Sequence, residues 1–226
     1  MTEIENEKDS ILFLPVGISE GHGKHLPAGT DTFQAEYVVE EVCRRLDKPT
    51  LIAPTLNYGY CRATRHLSGT LSISFDSLKS VAFDILKSLN DQCFGKIVIV
   101  SGHAGSSHMT ALKLAAEEVL EKSDIEILLL SDYDYAYELK GEDVPSTDGH
   151  GGEIETARLL DIREDLVGKD RPDTEVKYPS FKVMVDYSEY LSDGMRGNAR
   201  KATKEEGREI NEYVIEKIIN LVEDTF

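Results

Sequence analysis

The sequence predicts an α/β domain, a doubly wound and mostly parallel sheet flanked by helices, with residues 1–226 forming one unit. Three observations carry that expectation. Short apolar runs alternate with amphipathic stretches of helix length, as in strands joined by crossover helices. The later runs are dense in Ile, Val and Leu on successive residues, as in strands buried on both faces. Potential ligand residues directly follow two of the runs, where the carboxyl ends of parallel strands line a crevice.

The elements follow in order. Ile11 to Val16 reads as the first buried strand and Phe33 to Leu46 as an amphipathic helix. Leu51 to Ala53 is a short second strand, after which Leu78, Val81, Ala82, Ile85, Leu86 and Leu89 recur at helical spacing. Lys96 to Val100 is the third strand, Met109, Leu112, Ala116, Val119 and Leu120 mark the next helix, and Ile125 to Leu130 is the fourth strand. Asp132 to Gly152, rich in Tyr, Asp and Gly, is expected to be a long loop, which inside a compact domain is more often functional than idle. Thr203-Lys-Glu-Glu206 has the capping-box pattern and opens a last helix whose Ile210, Val214, Ile218 and Leu221 form one apolar stripe. No internal repeat, low-complexity linker or break in composition divides the chain.

Composition narrows the function classes. A chain of 226 residues with 40% hydrophobic content buries a real core without disulfide support. Lys and Arg total 25 against 42 Asp and Glu, a net charge of -17 that repels nucleic-acid phosphates and anionic membranes. Neither is an expected partner. Cys43, Cys61 and Cys93 are widely spaced with no CxxC pair, which argues against a disulfide framework or zinc knuckle. Met1 to Ser10 lacks the basic and apolar regions of a secretory signal, and no apolar run approaches the ~20 residues of a membrane span, so a cytoplasmic location is expected.

Five of the six histidines fall in three segments rich in glycine. The first is Glu20-Gly-His22-Gly-Lys-His25-Leu-Pro-Ala-Gly-Thr-Asp31; in an extended chain Glu20 and His22 project from one face about 7 Å apart, suited to adjacent metal ions. The second is Ser101-Gly-His103-Ala-Gly-Ser-Ser-His108 and the third Asp148-Gly-His150-Gly-Gly-Glu153-Ile-Glu155-Thr156. Such a mixture of imidazoles and carboxylates suits Zn, Mn or Fe in a hydrolytic site better than an all-oxygen Mg or Ca cage. His25 and His108 read as supporting donors or core histidines, and Glu155 as a buried partner for a neighbouring amide or basic group.

These three motifs, in this order, resemble those of the creatininase (creatinine amidohydrolase) family, and the likeness runs from Leu14 to about Thr203. The resemblance implies a three-layer α/β sandwich, a homo-oligomer, usually a hexamer, and two divalent metal ions. It assigns Glu20, Asp31 and His103 to one ion and His22, Asp31 and Glu153 to the other, with Asp31 bridging and Glu153 replacing a second-motif glutamate whose place is taken by Gly105. His150 matches the family's catalytic histidine. The two cations would activate a water for attack on an amide carbon, and an imidazole, with its ordinary pKa of about 6.5, suits protonation of the departing nitrogen.

The substrate expected from the resemblance is a small amide, cyclic or a formamide. Creatinine-hydrolysing members enclose their ring with tryptophan, which this chain lacks entirely. Tyr133 and Tyr135 are candidate stacking faces, and His66, beside the Leu67-Ser-Gly-Thr70 turn, is a candidate pocket residue. Archaeal formamidopyrimidine-nucleotide deformylases and mycofactocin-precursor peptidases share the motif pattern and stand as alternatives. Outside the class stand a non-catalytic metal-binding protein and a nucleotide-binding module using the glycines and hydroxyls of Ser101 to Ser107; the latter lacks both GxGxxG and P-loop signatures.

Overall fold

In the computed structural model, which describes residues 8–141 and 148–226, β1 (Ile11–Val16), β2 (Thr50–Ile52), β3 (Lys96–Ser101) and β4 (Glu126–Ser131) form one parallel sheet in the order β2-β1-β3-β4. The connections are α1 (Thr30–Arg45), α2 (Phe75–Asp91) and α3 (Ser106–Leu120). Each strand boundary lies within a residue of the run that predicted it. Helix α1 starts three residues earlier than its apolar pattern, because Thr30, Asp31 and Gln34 in its first turns are buried polar residues.

Residue alternation divides the sheet into two cores. Ile11 and Phe13 of β1, with Val98 and Val100 of β3, face α1 and the last helix, α6 (Lys204–Thr225). Leu12, Leu14 and Val16, with Ile97 and Ile99, face α2 and α3. Because successive side chains point to opposite faces, strands apolar on both sets of positions must be covered twice. The result is three layers. Thr203 caps α6 by accepting from the Glu206 amide, as its capping pattern predicts.

One expectation needs correction. Asp132 to Gly152 is not a continuous loop: α4 (Asp132–Lys140) follows β4 without a gap. Ser131 and Asp134 form a reciprocal capping box, and Tyr133 and Ala136 bury against the core, so local capping and tertiary packing together make a helix of this polar stretch. Residues 142–147 of the same stretch lie outside the described residues, as do the first seven residues of Met1 to Ser10.

After that stretch comes α5 (Glu153–Arg163), fixed by a buried polar clamp. Arg158 donates to Asp132 Oδ2 at 2.6 Å and to Asn211 Oδ1 at 2.9 Å, tying α5 to α4 and α6. A 3-10 turn (Glu164–Leu166) and a two-stranded antiparallel ribbon, β5 (Asp173–Thr174) and β6 (Gly197–Asn198), complete the described elements. No helix among the described residues is long and apolar enough to cross a membrane.

The chain builds outward from β1 in both directions, β2 on one side and β3 and β4 on the other. Such a reversal opens a crevice between the carboxyl ends of β1 and β3. The register makes these ends level: Val16 pairs with Ser101, and Ser101 with Ser131. Glu20, His22 and His103 all lie just beyond that edge.

Candidate metal centre

At the switch point two loops and the start of α1 close on one another. Gly102 makes this approach possible, since a Cβ there would lie 2.1 Å from the Asp31 carbonyl oxygen. Asp31 sits in the first turn of α1, where the helix dipole favours a carboxylate. Its two oxygens face different imidazoles: Oδ1 is 3.0 Å from His22 Nε2 and Oδ2 is 3.2 Å from His103 Nδ1. Glu20 Oε2 lies 2.9 Å from the same His103 nitrogen.

The imidazole tautomers can be read from their other contacts. His22 Nδ1 lies 3.0 Å from the Glu20 carbonyl, which only accepts, so Nδ1 carries the proton. A backbone carbonyl holding the far nitrogen is the usual support of a metal-ligating histidine, and it leaves Nε2 to face Asp31. His150 Nε2 likewise donates to the Gly21 carbonyl at 2.7 Å, and its ring packs on His22 with centroids 4.1 Å apart.

Third-motif acids separate by helical geometry. Residues two apart on a helix differ by about 200° and cannot share a face. Glu155 turns inward: its Oε2 lies 3.6 Å from His22 Nε2 and accepts the Gly151 amide at 2.5 Å. Gly151 reaches that position with φ of 65°, left-handed backbone that a side chain would strain. Glu153 opens α5 with its amide on Asp148 Oδ1, and its charge acts on Lys140. The structure therefore sets Glu155, rather than the expected Glu153, against His22.

The electrostatics of the cluster set carboxylates against imidazoles. Burial alone would raise the Glu20 carboxyl, but His150, His103 and His22 outweigh it and hold the group well below its ordinary value. Asp31 is likewise held down against burial, chiefly by His22 and His103. Burial would lower His22, yet Asp31, Glu155 and Glu20 carry it to about 10, and His103 is also raised. The carboxylates thus demand positive charge at the imidazole nitrogens. Glu20 Oε2, Asp31 Oδ2 and His22 Nε2 are nevertheless buried without an aligned hydrogen bond, although oppositely charged atoms are near. Atoms that converge without pairing, drawn from N and O donors, fit bound cations better than one another.

The other expected residues divide. Tyr133 is buried, donates from its hydroxyl to Gln34 Oε1 at 2.5 Å, and reaches the wall of a cavity of about 310 Å³ above the cluster. Tyr135 points away, toward Lys217; Tyr137, one turn after Tyr133, lines the cavity instead. His66 lies off the wall and bonds the carbonyl of Leu191, which does line it. His25 and His108 are both buried supports, on Thr156 Oγ1 at 2.9 Å and on the Tyr60 amide at 3.3 Å.

Sequence reasoning missed Cys61 and Thr64, both buried on Glu20, and the cavity-lining Tyr178 and Tyr187. A lone cysteine and scattered tyrosines have no spacing signal. Helical spacing puts Glu155 and Glu153 on opposite faces of α5, but residue order does not say which face turns inward.

Known proteins resemble this chain in both sequence and fold. The sequence profile of the creatininase family, described as creatinine amidohydrolase, matches residues 1–222. Creatinine amidohydrolase of Pseudomonas putida is 28% identical over 237 residues, covering 96% of this chain and 90% of that protein. A mycofactocin precursor peptide peptidase of Mycolicibacterium smegmatis is 31% identical over 161 residues, 70% of this chain and 60% of that protein. The fold superposes on a mutant creatininase of Zn-Zn type with a TM-score of 0.89 at 25% identity, covering 99% of this chain and 95% of that one. A creatininase with Mn gives 0.87 at 26% identity, covering 99% and 95%. Matched in sequence over residues 1–222 and in fold over 99% of its length, the chain belongs to the creatininase family.

Proposed function

We propose that the protein is a metal-dependent amidohydrolase that holds two divalent ions, Zn, Mn or Fe, and hydrolyses a C–N bond in a small cyclic amide or formamide. Glu20, Asp31 and His103 would hold one ion; His22, Asp31 and Glu155 the other. The observation that carries this reading is Asp31, whose two buried oxygens each face the nitrogen of a different histidine. Bound there, the ions would supply Lewis acidity, lowering the pKa of water and polarising the amide carbonyl.

The protein's own groups do the rest. Since His150 Nε2 is committed as donor to the Gly21 carbonyl, Nδ1 is the basic atom that takes a proton and returns it to the departing nitrogen. Glu20 is held in place by Thr64, which donates to Oε1 at 2.6 Å. Tyr60, Tyr137, Tyr178 and Tyr187 line a cavity of about 310 Å³, at the small end of ligand sites, and offer flat faces without tryptophan. The relatives favour a second reading, cleavage of a peptide bond, because a mycofactocin precursor peptide peptidase is 31% identical over 70% of the chain. Assembly into a homo-oligomer, a hexamer by family resemblance, is supported by the strongly exposed Phe181, Val183 and Val185.

The test is hydrolysis of creatinine, formamidopyrimidine nucleotides and short peptides by the purified protein, before and after chelation. Turnover of one class, abolished by chelator and restored by a divalent ion, is expected. Turnover unchanged by full metal removal would overturn the reading.

A further inference from the structure

We propose that Cys61 is a ligand of the ion held by Glu20 and His103, giving that ion a mixed N, O and S donor set that favours zinc over manganese. The proposal rests on the metal reading above. Cys61 is buried, and its Sγ lies 2.9 Å from Glu20 Oε1 and 3.0 Å from Thr64 Oγ1. Its backbone is fixed, with the amide donating to Ser72 Oγ at 2.9 Å. One ligand atom each from Glu20, Cys61 and His103 lies within 4.8 Å of the others. A tetrahedral ion with bonds of ~2.0 Å to oxygen and ~2.3 Å to sulfur needs donors about 3.5 Å apart, so a small adjustment of side chains closes the set.

A second observation points into the same space. Glu20 Oε2, on the same carboxylate that meets Cys61, is fully buried without an aligned hydrogen bond. The thiol and the Thr64 hydroxyl both donate to Oε1, so the carboxylate keeps a protein donor when Cys61 gives up its proton. On coordination the thiol gives up its proton to solvent, and the resulting thiolate is a soft ligand that discriminates against manganese. Cys43, half-buried, and Cys93, exposed, belong to neither ligand group and serve as internal controls.

X-ray absorption on the zinc-loaded wild-type protein decides the matter without a variant. A sulfur shell at ~2.3 Å beside nitrogen and oxygen at ~2.0–2.1 Å is expected. In the cobalt-substituted protein a sulfur-to-cobalt charge-transfer band should appear, persist in Cys43→Ser and Cys93→Ser, and vanish in Cys61→Ser. The preference for zinc over manganese should fall about tenfold or more in Cys61→Ser. Full metal occupancy with only nitrogen and oxygen neighbours would overturn the proposal while leaving the metal site intact; failure to bind any divalent ion would overturn both.

Discussion

Exchanging Glu155 for glutamine removes one charge from the cluster while keeping the side chain's volume and an acceptor oxygen for the Gly151 amide. The carboxylate it replaces sits 3.6 Å from His22 Nε2 and takes that amide at 2.5 Å. Loss of mere outer-shell partners weakens metal sites by about 10- to 100-fold, so a ligating carboxylate should cost at least ~100-fold, or ~2.8 kcal/mol. Glu153→Gln is the matched control, two residues away on the opposite helical face. It removes only an acid from the first turn of α5, worth about 0.3–1 kcal/mol of stability through the helix dipole, and leaves metal affinity unchanged. Zinc affinity by chelator competition, with thermal melting as the check on folding, separates the two. Metal lost in Glu153→Gln and kept in Glu155→Gln would refute the assignment made from helix geometry.

His150→Ala should lower kcat by about 10²- to 10⁴-fold, the usual worth of a positioned acid–base group, with metal content unchanged. Loss of an ion in that variant would make His150 a ligand, a role its grouping with Glu20 and His22 allows. His108 supplies a pH prediction. Its Nδ1 accepts from the Tyr60 amide and burial, with His103 beside it, pushes its pKa down to about 3. The unfolded imidazole binds a proton near ~6.5, so this histidine stabilises the fold fully above that pH, and its contribution disappears as pH falls from ~6.5 toward about 3. Urea unfolding of metal-free protein should therefore show a shallower acid limb in His108→Gln than in wild type; identical limbs would contradict neutral burial of His108.

Much of this was legible in residue order because it depends on local pattern. Apolar runs placed β1 to β4, and the motifs after β1 and β3 placed Glu20, His22, Asp31 and His103 at one sheet edge. What escaped depends on three-dimensional convergence. The Ser131 and Asp134 capping box was hidden in a stretch whose composition resembles a loop, and once α4 is a helix, its period brings Tyr137 rather than Tyr135 to the cavity. Glu155 and Glu153 are equally acidic in sequence and differ only in the direction each takes from α5. Cys61 comes from the segment between β2 and α2, and no spacing rule links it to Glu20, 41 residues earlier.

The most direct test of the central claim is the number of divalent ions bound per chain by the purified protein after equilibration with zinc. The geometry around Asp31 predicts two, falling when Asp31→Asn removes the charge that both histidines face. A chain that takes up no divalent ion at any ratio would contradict it.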